Sequence, residues 1–307
     1  MNLKHIISAR QFDKKTLEKI FHLTDQIKSD KFNKKALSGK IMATLFYEPS
    51  TRTRLSFESA MIRLGGSVIA TENAAEFSSA IKGETLEDTI RVVNSYSDVI
   101  VLRHPKPGAS KIAADYSAVP IINAGDGKGE HPTQALLDLY TILSKFKRED
   151  LTIAMVGDLL NGRTIHSLAY LLSLYGDVKL IFISPKALSV PKYLREYLSL
   201  KKIDFVEIED FKEGLGQSDV IYQTRIQKER FRSDTEYKKY FGKYIIDRNI
   251  LKYLKKKTII MHPLPRVNEI TQEVDKDPRA LYFEQAQNGI FVRMALLLSI
   301  LVPLEVW

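Results

Sequence analysis

The chain of 307 residues carries 46 Lys and Arg against 37 Asp and Glu, a formal charge of +9, with 44% apolar residues and no cysteine. The length suits two domains of ordinary size, and the missing thiols exclude disulfides, thiol catalysis and Cys-based zinc sites within the chain. The opening residues lack a secretory leader pattern, no apolar run reaches membrane-span length and no HExxH pair occurs, so a cytoplasmic protein without membrane contact is expected.

Along the chain, short apolar runs rich in β-branched residues alternate with helical patterns. Strands are predicted over Ile41 to Phe46, Val99 to Leu102, Val119 to Asn123, Thr152 to Val156, Lys179 to Ile183, Val220 to Tyr222 and Thr258 to Met261. Helices are predicted over Lys14 to Ile27 after an Asp13 cap, Thr51 to Leu64 before two glycines, and Thr85 to Tyr96. Thr133 to Ser144 reads as a helix leading from one βα set into a second. Asn288 to Val302 is a nearly all-apolar helix that needs a deep groove. This alternation defines an α/β protein of two doubly wound domains with parallel sheets. The expected division is 1–132 plus 284–307 for one domain and 133–283 for the other. Ligands of such sheets bind beyond the carboxyl ends of the strands, which directs attention to the loops there.

The positive charge raises the possibility of nucleic-acid binding. Many lysines lie beside acids, however, as in Asp13-Lys14-Lys15 and Asp275-Lys276-Asp277, which reads as mixed solvated surface. A small anionic substrate needs only a local basic cleft. After the first predicted strand comes Tyr47-Glu48-Pro49-Ser50-Thr51-Arg52-Thr53-Arg54, which opens a helix with hydroxyls and arginines. Ser50 can cap that helix, and its free N–H groups and dipole, strengthened by Arg52, make an anion site. Read alone, the segment also fits a capped helix with a solvated basic turn. No GxxxxGK[ST] loop is present, so ATP binding has little support.

The Ser-Thr-Arg-Thr-Arg order directly after a strand resembles the carbamoyl-phosphate signature of the aspartate and ornithine carbamoyltransferases. The resemblance continues through Arg103-His104-Pro105, Asn123 to Gly127, His131-Pro132-Thr133-Gln134, Gly157-Asp158 with Gly162-Arg163-Thr164, Thr224 to Arg230, and His262-Pro263-Leu264-Pro265-Arg266. It spans nearly the whole chain. Ornithine enzymes of the family carry a His-Cys-Leu-Pro segment where this chain has His262-Pro263-Leu264-Pro265, and aspartate needs planar bidentate donors for two carboxylates. Both points favour aspartate. Leu159-Leu160-Asn161 and Lys128-Gly129-Glu130 depart from better-known bacterial members and read as loop fillers.

The resemblance implies transfer of the carbamoyl group of carbamoyl phosphate to the amine of L-aspartate, in pyrimidine synthesis, in a cleft between the domains. It assigns Ser50, Thr51, Arg52 and Thr53 to the phosphate, and Thr53, Arg103 and His131 to the carbonyl oxygen. Alone, Arg103 reads more readily as an arginine ending a strand and pairing with a surface carboxylate, and His131 more readily as a hydrogen-bonded loop histidine. Gln134, with backbone carbonyls near Leu264 and Pro265 aimed by a cis bond, is assigned to the carbamoyl amide. Arg163, Arg225, Gln227 and Lys82 take the aspartate carboxylates. Ser78 and Lys82 are expected to reach in from a neighbouring subunit, which requires a head-to-tail ring, a homotrimer in this family. A regulatory chain in a larger allosteric assembly is a further possible partner. No metal and no cofactor are expected, because positioning and preorganised charge suffice.

Overall fold

A computed structural model describes residues 3–72, 83–228, 231 and 233–302. The chain divides into two compact units, Met1–Tyr140 with Gln287–Trp307, and Thr141–Ala286.

The first unit is built on strands β1 (Ile41–Phe46), β2 (Ser67–Glu72), β3 (Val99–His104) and β4 (Ile121–Asp126), all parallel, in the order β2-β1-β3-β4. Helix α1 (Lys14–Lys28) starts where Asp13 accepts from the Thr16 N–H at 2.7 Å. It buries Leu17, Ile20, Phe21, Thr24 and Ile27 on one face, each large apolar member being worth about 1.5–3 kcal/mol of burial. Helix α2 (Thr51–Arg63) follows β1, α3 (Leu86–Val93) follows a Thr85 cap, and α4 (Ala109–Tyr116) precedes β4. Because β1 and β3 lie inside the sheet, their residues are buried on both faces, Met42, Ala43, Leu45, Phe46 and Val99 to Leu102 among them. β4 begins two residues later than the apolar pattern suggests, since Pro120 has no N–H to give to the ladder. It runs on to Asp126.

Helix α5 (Pro132–Lys145) passes from the first unit into the second. There β5 (Thr152–Val156), β6 (Lys179–Ile183), β7 (Asp204–Ile208), β8 (Val220–Gln223) and β9 (Ile259–Met261) form a second parallel sheet, ordered β7-β6-β5-β8-β9. Helices α6 (Arg163–Leu172), α7 (Lys192–Leu200), α8 (Phe211–Gln217) and α9 (Asp234–Lys238) connect its strands. The terminal helix α10 (Tyr282–Leu301) starts six residues before the sequence pattern suggests, and from Gln287 it belongs to the first unit. Val292 and Met294 to Leu298 are buried.

Two strands, β2 and β7, lie outside the sequence-based expectation. Both are sheet edges with largely uncovered side chains, such as Ile69 at 41% and Val206 at 39% exposure. Each sheet reverses its strand order at one place, between β1 and β3 in the first and between β5 and β8 in the second. Those reversals open a crevice at the carboxyl edge of each sheet.

Candidate active site

The first crevice receives the loops after β1 and β3. Phe46 of β1 is in register with Arg103 of β3, and the Tyr47 N–H donates to the Arg103 carbonyl at 2.9 Å. Ser50 occupies the N-cap position of α2, but its side chain makes no capping hydrogen bond, contrary to the role expected from sequence. The first-turn N–H groups of α2 are thus left without this side-chain partner. Thr51 and Arg52 are exposed and Thr53 is buried at 8%. Arg52 makes no hydrogen bond or ion pair with any described residue. Desolvation by neighbouring atoms lowers its pKa, though the group stays cationic.

Arg103 lies near the end of β3, one residue inside the strand. Its Nε sits 3.4 Å from the Glu48 carboxylate and its Nη1 donates to the Ala124 carbonyl at 3.3 Å. The ion pair that sequence offered as the ordinary role of this arginine is thus present, with the guanidinium held between the loop after β1 and strand β4. Tyr47 packs on the His104 ring at a centroid distance of 4.8 Å.

His131 precedes α5, buried at 4% exposure, with Nδ1 3.5 Å from Thr133 Oγ1. Gln134 lies in the first turn of α5 and donates through Nε2 to Asp138 at 2.8 Å. The loop before them is tightly held. Asp126 accepts from the N–H groups of Gly108 and Glu130, at 2.9 and 2.7 Å. Glu130 accepts from Ser8 Oγ and the Ala9 N–H, each at 2.6 Å. Glu130 is therefore an anchor tying the His131 loop to the N-terminal segment, and reading it as filler is corrected. Gly127 (φ +52°) is required there, since a Cβ would lie 2.2 Å from the Pro105 carbonyl oxygen.

The second crevice receives the loops after β5, β8 and β9. Thr224 clamps the first two together, its N–H and Oγ1 donating to the Val156 carbonyl at 2.8 and 2.9 Å. The approach is so close that a Cβ on Gly157 would lie 2.3 Å from the Thr224 carbonyl oxygen. Asp158, fully buried, accepts from the N–H and side-chain amide of Asn161, so Asn161 also holds a turn. That turn delivers Arg163 to the start of α6. Arg163, Arg225 and Gln227 are half-buried at these strand ends.

After β9, the Leu264–Pro265 peptide bond is cis. His262 Nδ1 accepts from the Leu264 N–H at 2.8 Å, which leaves the proton on Nε2 to donate to Glu269 at 2.8 Å. His262 and Glu269 are buried at 2% and 6% exposure, and sequence reading missed Glu269. Burial raises the Glu269 carboxyl, but the hydrogen bonds it accepts from His262 and from the Val267 N–H outweigh it and hold the pKa below its usual 4.5. A depressed folded-state pKa gives stability that is present above about pH 4.5 and is lost as pH falls through the folded value. Glu269→Gln should cost about 1.5–3 kcal/mol at neutral pH, because a charge-assisted hydrogen bond to the buried imidazole is lost. Its stability should also fall less than the wild type's on acidification from about pH 5 to pH 3. Denaturant titrations across that range check both.

Ser78 and Lys82 lie outside the described residues. Among the described residues, no group of His, Asp and Glu is arranged to hold a metal ion, and no helix is long and apolar enough to cross a membrane.

Fold and site together define a class: two parallel α/β units, each presenting arginines at the reversal point of its sheet. The profile of the aspartate/ornithine carbamoyltransferase carbamoyl-P binding domain matches residues 4–144, and that of the Asp/Orn binding domain matches residues 149–300. The chain belongs to the aspartate/ornithine carbamoyltransferase family. It is 54% identical over 305 residues to the chloroplastic aspartate carbamoyltransferase of Arabidopsis thaliana, covering 98% of this chain and 78% of that one. The catalytic subunit of M. jannaschii aspartate transcarbamoylase superposes with a TM-score of 0.90 at 51% identity, over 99% of each chain. Aspartate transcarbamoylase from Trypanosoma cruzi, in complex with carbamoyl phosphate and aspartate, gives 0.91 at 43% identity over 98% of each chain.

Proposed function

We propose that this chain transfers the carbamoyl group of carbamoyl phosphate to the amine of L-aspartate, giving N-carbamoyl-L-aspartate and phosphate for de novo pyrimidine synthesis. The observation that carries the reading is the pair of reversal points. One presents a helix N-terminus with a cationic Arg52 that no described residue neutralises, and the other presents Arg163, Arg225 and Gln227.

The amine attacks the carbamoyl carbon, forming the C–N bond as negative charge builds on the carbonyl oxygen. The C–O bond to phosphate then breaks. Ser50, Thr51, Arg52 and Thr53 with the α2 N–H groups hold the phosphate, and Arg52 meets the charge that grows as it leaves. Thr53, Arg103 and His131 donate to the carbonyl oxygen, and Gln134 receives the carbamoyl amide. Leu264 and Pro265 offer carbonyl acceptors from the loop after β9. Arg163, Arg225 and Gln227 grip the aspartate carboxylates. The departing phosphate is basic and close, so it takes the ammonium proton, and no metal or cofactor enters.

The reading includes a head-to-tail homotrimer in which Ser78 and Lys82 complete the neighbour's site, and it admits a regulatory chain in a larger allosteric assembly. A cytoplasmic location is the sequence-based expectation. The chloroplastic plant relative favours a plastid as the alternative compartment. Mixing Lys82→Ala with Arg52→Ala under subunit exchange should restore part of the activity lost in each. Hybrid interfaces then pair an intact Lys82 with an intact Arg52. A mixture as inactive as its parents rules out shared sites.

A further inference from the structure

Two long apolar helices each bury one charge, and the two charges are opposite. On α5, Asp138 is fully buried among Ala135, Leu136, Leu137 and Leu139. On α10, Arg293 is buried at 3% exposure beside Val292, Met294 and Ala295. Charged side chains are rarely buried unless they are paired. The guanidinium lies over the Phe57 ring of α2, with 5.1 Å to the centroid. Room for it exists because residue 289 is glycine, where a Cβ would sit 2.4 Å from Nη1. Burial lowers the Arg293 pKa to about 10, and attraction to Asp138 opposes that shift, so Arg293 stays cationic at neutral pH.

Gln134 stands one helical turn before Asp138, on the same face of α5, and donates to it through Nε2 at 2.8 Å. A carboxylate only accepts hydrogen bonds, so it faces the NH2 end of the glutamine amide and turns the oxygen end away. A neutral partner at 138 would tolerate either orientation.

We propose that Asp138 is a positioning residue that presents Oε1 of Gln134 as an acceptor to the NH2 group of the carbamoyl donor. The inference rests on the functional reading above and adds to it the origin of donor selectivity. Acetyl phosphate has a methyl group where carbamoyl phosphate has NH2, so it gains nothing from this acceptor.

The test measures the KM for carbamoyl phosphate and the inhibition constant of acetyl phosphate on the full-length protein. In Asp138→Asn the KM should rise about tenfold while the acetyl phosphate constant moves by less than about twofold. In a Gln134→Ala background the same substitution should leave the ratio of the two constants unchanged. Asp138→Asn changes the charge balance around the buried Arg293 guanidinium, so the ratio of the carbamoyl phosphate KM to the acetyl phosphate constant is also measured in the double variant with Arg293→Met, which removes both charges and keeps the packing volume; it should rise there equally. Equal weakening of both ligands, or the same ratio change without Gln134, would mean that Asp138 serves only the fold and overturns the proposal. Wild-type protein that forms no carbamoylaspartate would refute the functional reading and this inference with it. Active wild type with an unchanged ratio in both variants refutes the role of Asp138 alone.

Discussion

Arg52→Ala is expected to lower kcat on the order of 10³-fold while the KM for aspartate stays near the wild-type value. The reason lies in when the charge is needed. Arg52 stands at the first turn of α2, exposed and without a partner among the described residues, so its charge is not spent on a structural carboxylate. In the proposed site the helix N–H groups already hold phosphate in the ground state. Charge on the phosphate grows as the C–O bond breaks, and a fixed cation stabilises that transition state more than the bound substrate. Arg52→Lys should recover part of the loss, because it keeps the charge but not the planar fork. Steady-state kinetics with both substrates varied checks this, and near-normal turnover by Arg52→Ala would remove Arg52 from the mechanism.

Arg225→Lys should strike the other half of the reaction. Arg225 follows Thr224, whose two hydrogen bonds to the Val156 carbonyl fix where the arginine emerges. A guanidinium grips a carboxylate with two parallel N–H bonds, and an ammonium at the same place offers a single point contact from a shorter reach. Losing one charged hydrogen bond costs about 1.5–3 kcal/mol, so kcat/KM for aspartate should fall roughly 10- to 100-fold. The KM for carbamoyl phosphate should hardly move. A variant with wild-type use of aspartate would undo the account of acceptor choice.

The two substitutions also mark how far the sequence is readable. Central strands such as β1 and β5 are buried on both faces, so they appear as unbroken apolar runs. β2 and β7 escaped because an edge strand carries residues such as Ser67, Thr71, Asp204 and Glu207 on uncovered faces. The residues that the resemblance assigns to the substrates sit in local motifs along the chain. Their supports do not, since Glu130 reaches Ser8 and Ala9, Glu48 reaches Arg103, and Asp138 comes within the field of Arg293 only after folding. One signal was available: a lone Asp in the apolar pattern of α5 and a lone Arg in that of α10 are costly to bury singly. Nothing local indicates that Ser50 leaves its helix uncapped.

The central claim is that the arginines of the second unit select aspartate as acceptor for a carbamoyl group activated in the first. The most direct test supplies carbamoyl phosphate to the purified protein with L-aspartate, L-ornithine or another amino acid, and measures phosphate and carbamoylated product together. The account predicts N-carbamoyl-L-aspartate and phosphate in equal amounts, with turnover for ornithine lower by orders of magnitude. Faster carbamoylation of ornithine or of a monocarboxylic amino acid, or phosphate release without a carbamoylated product, would contradict it.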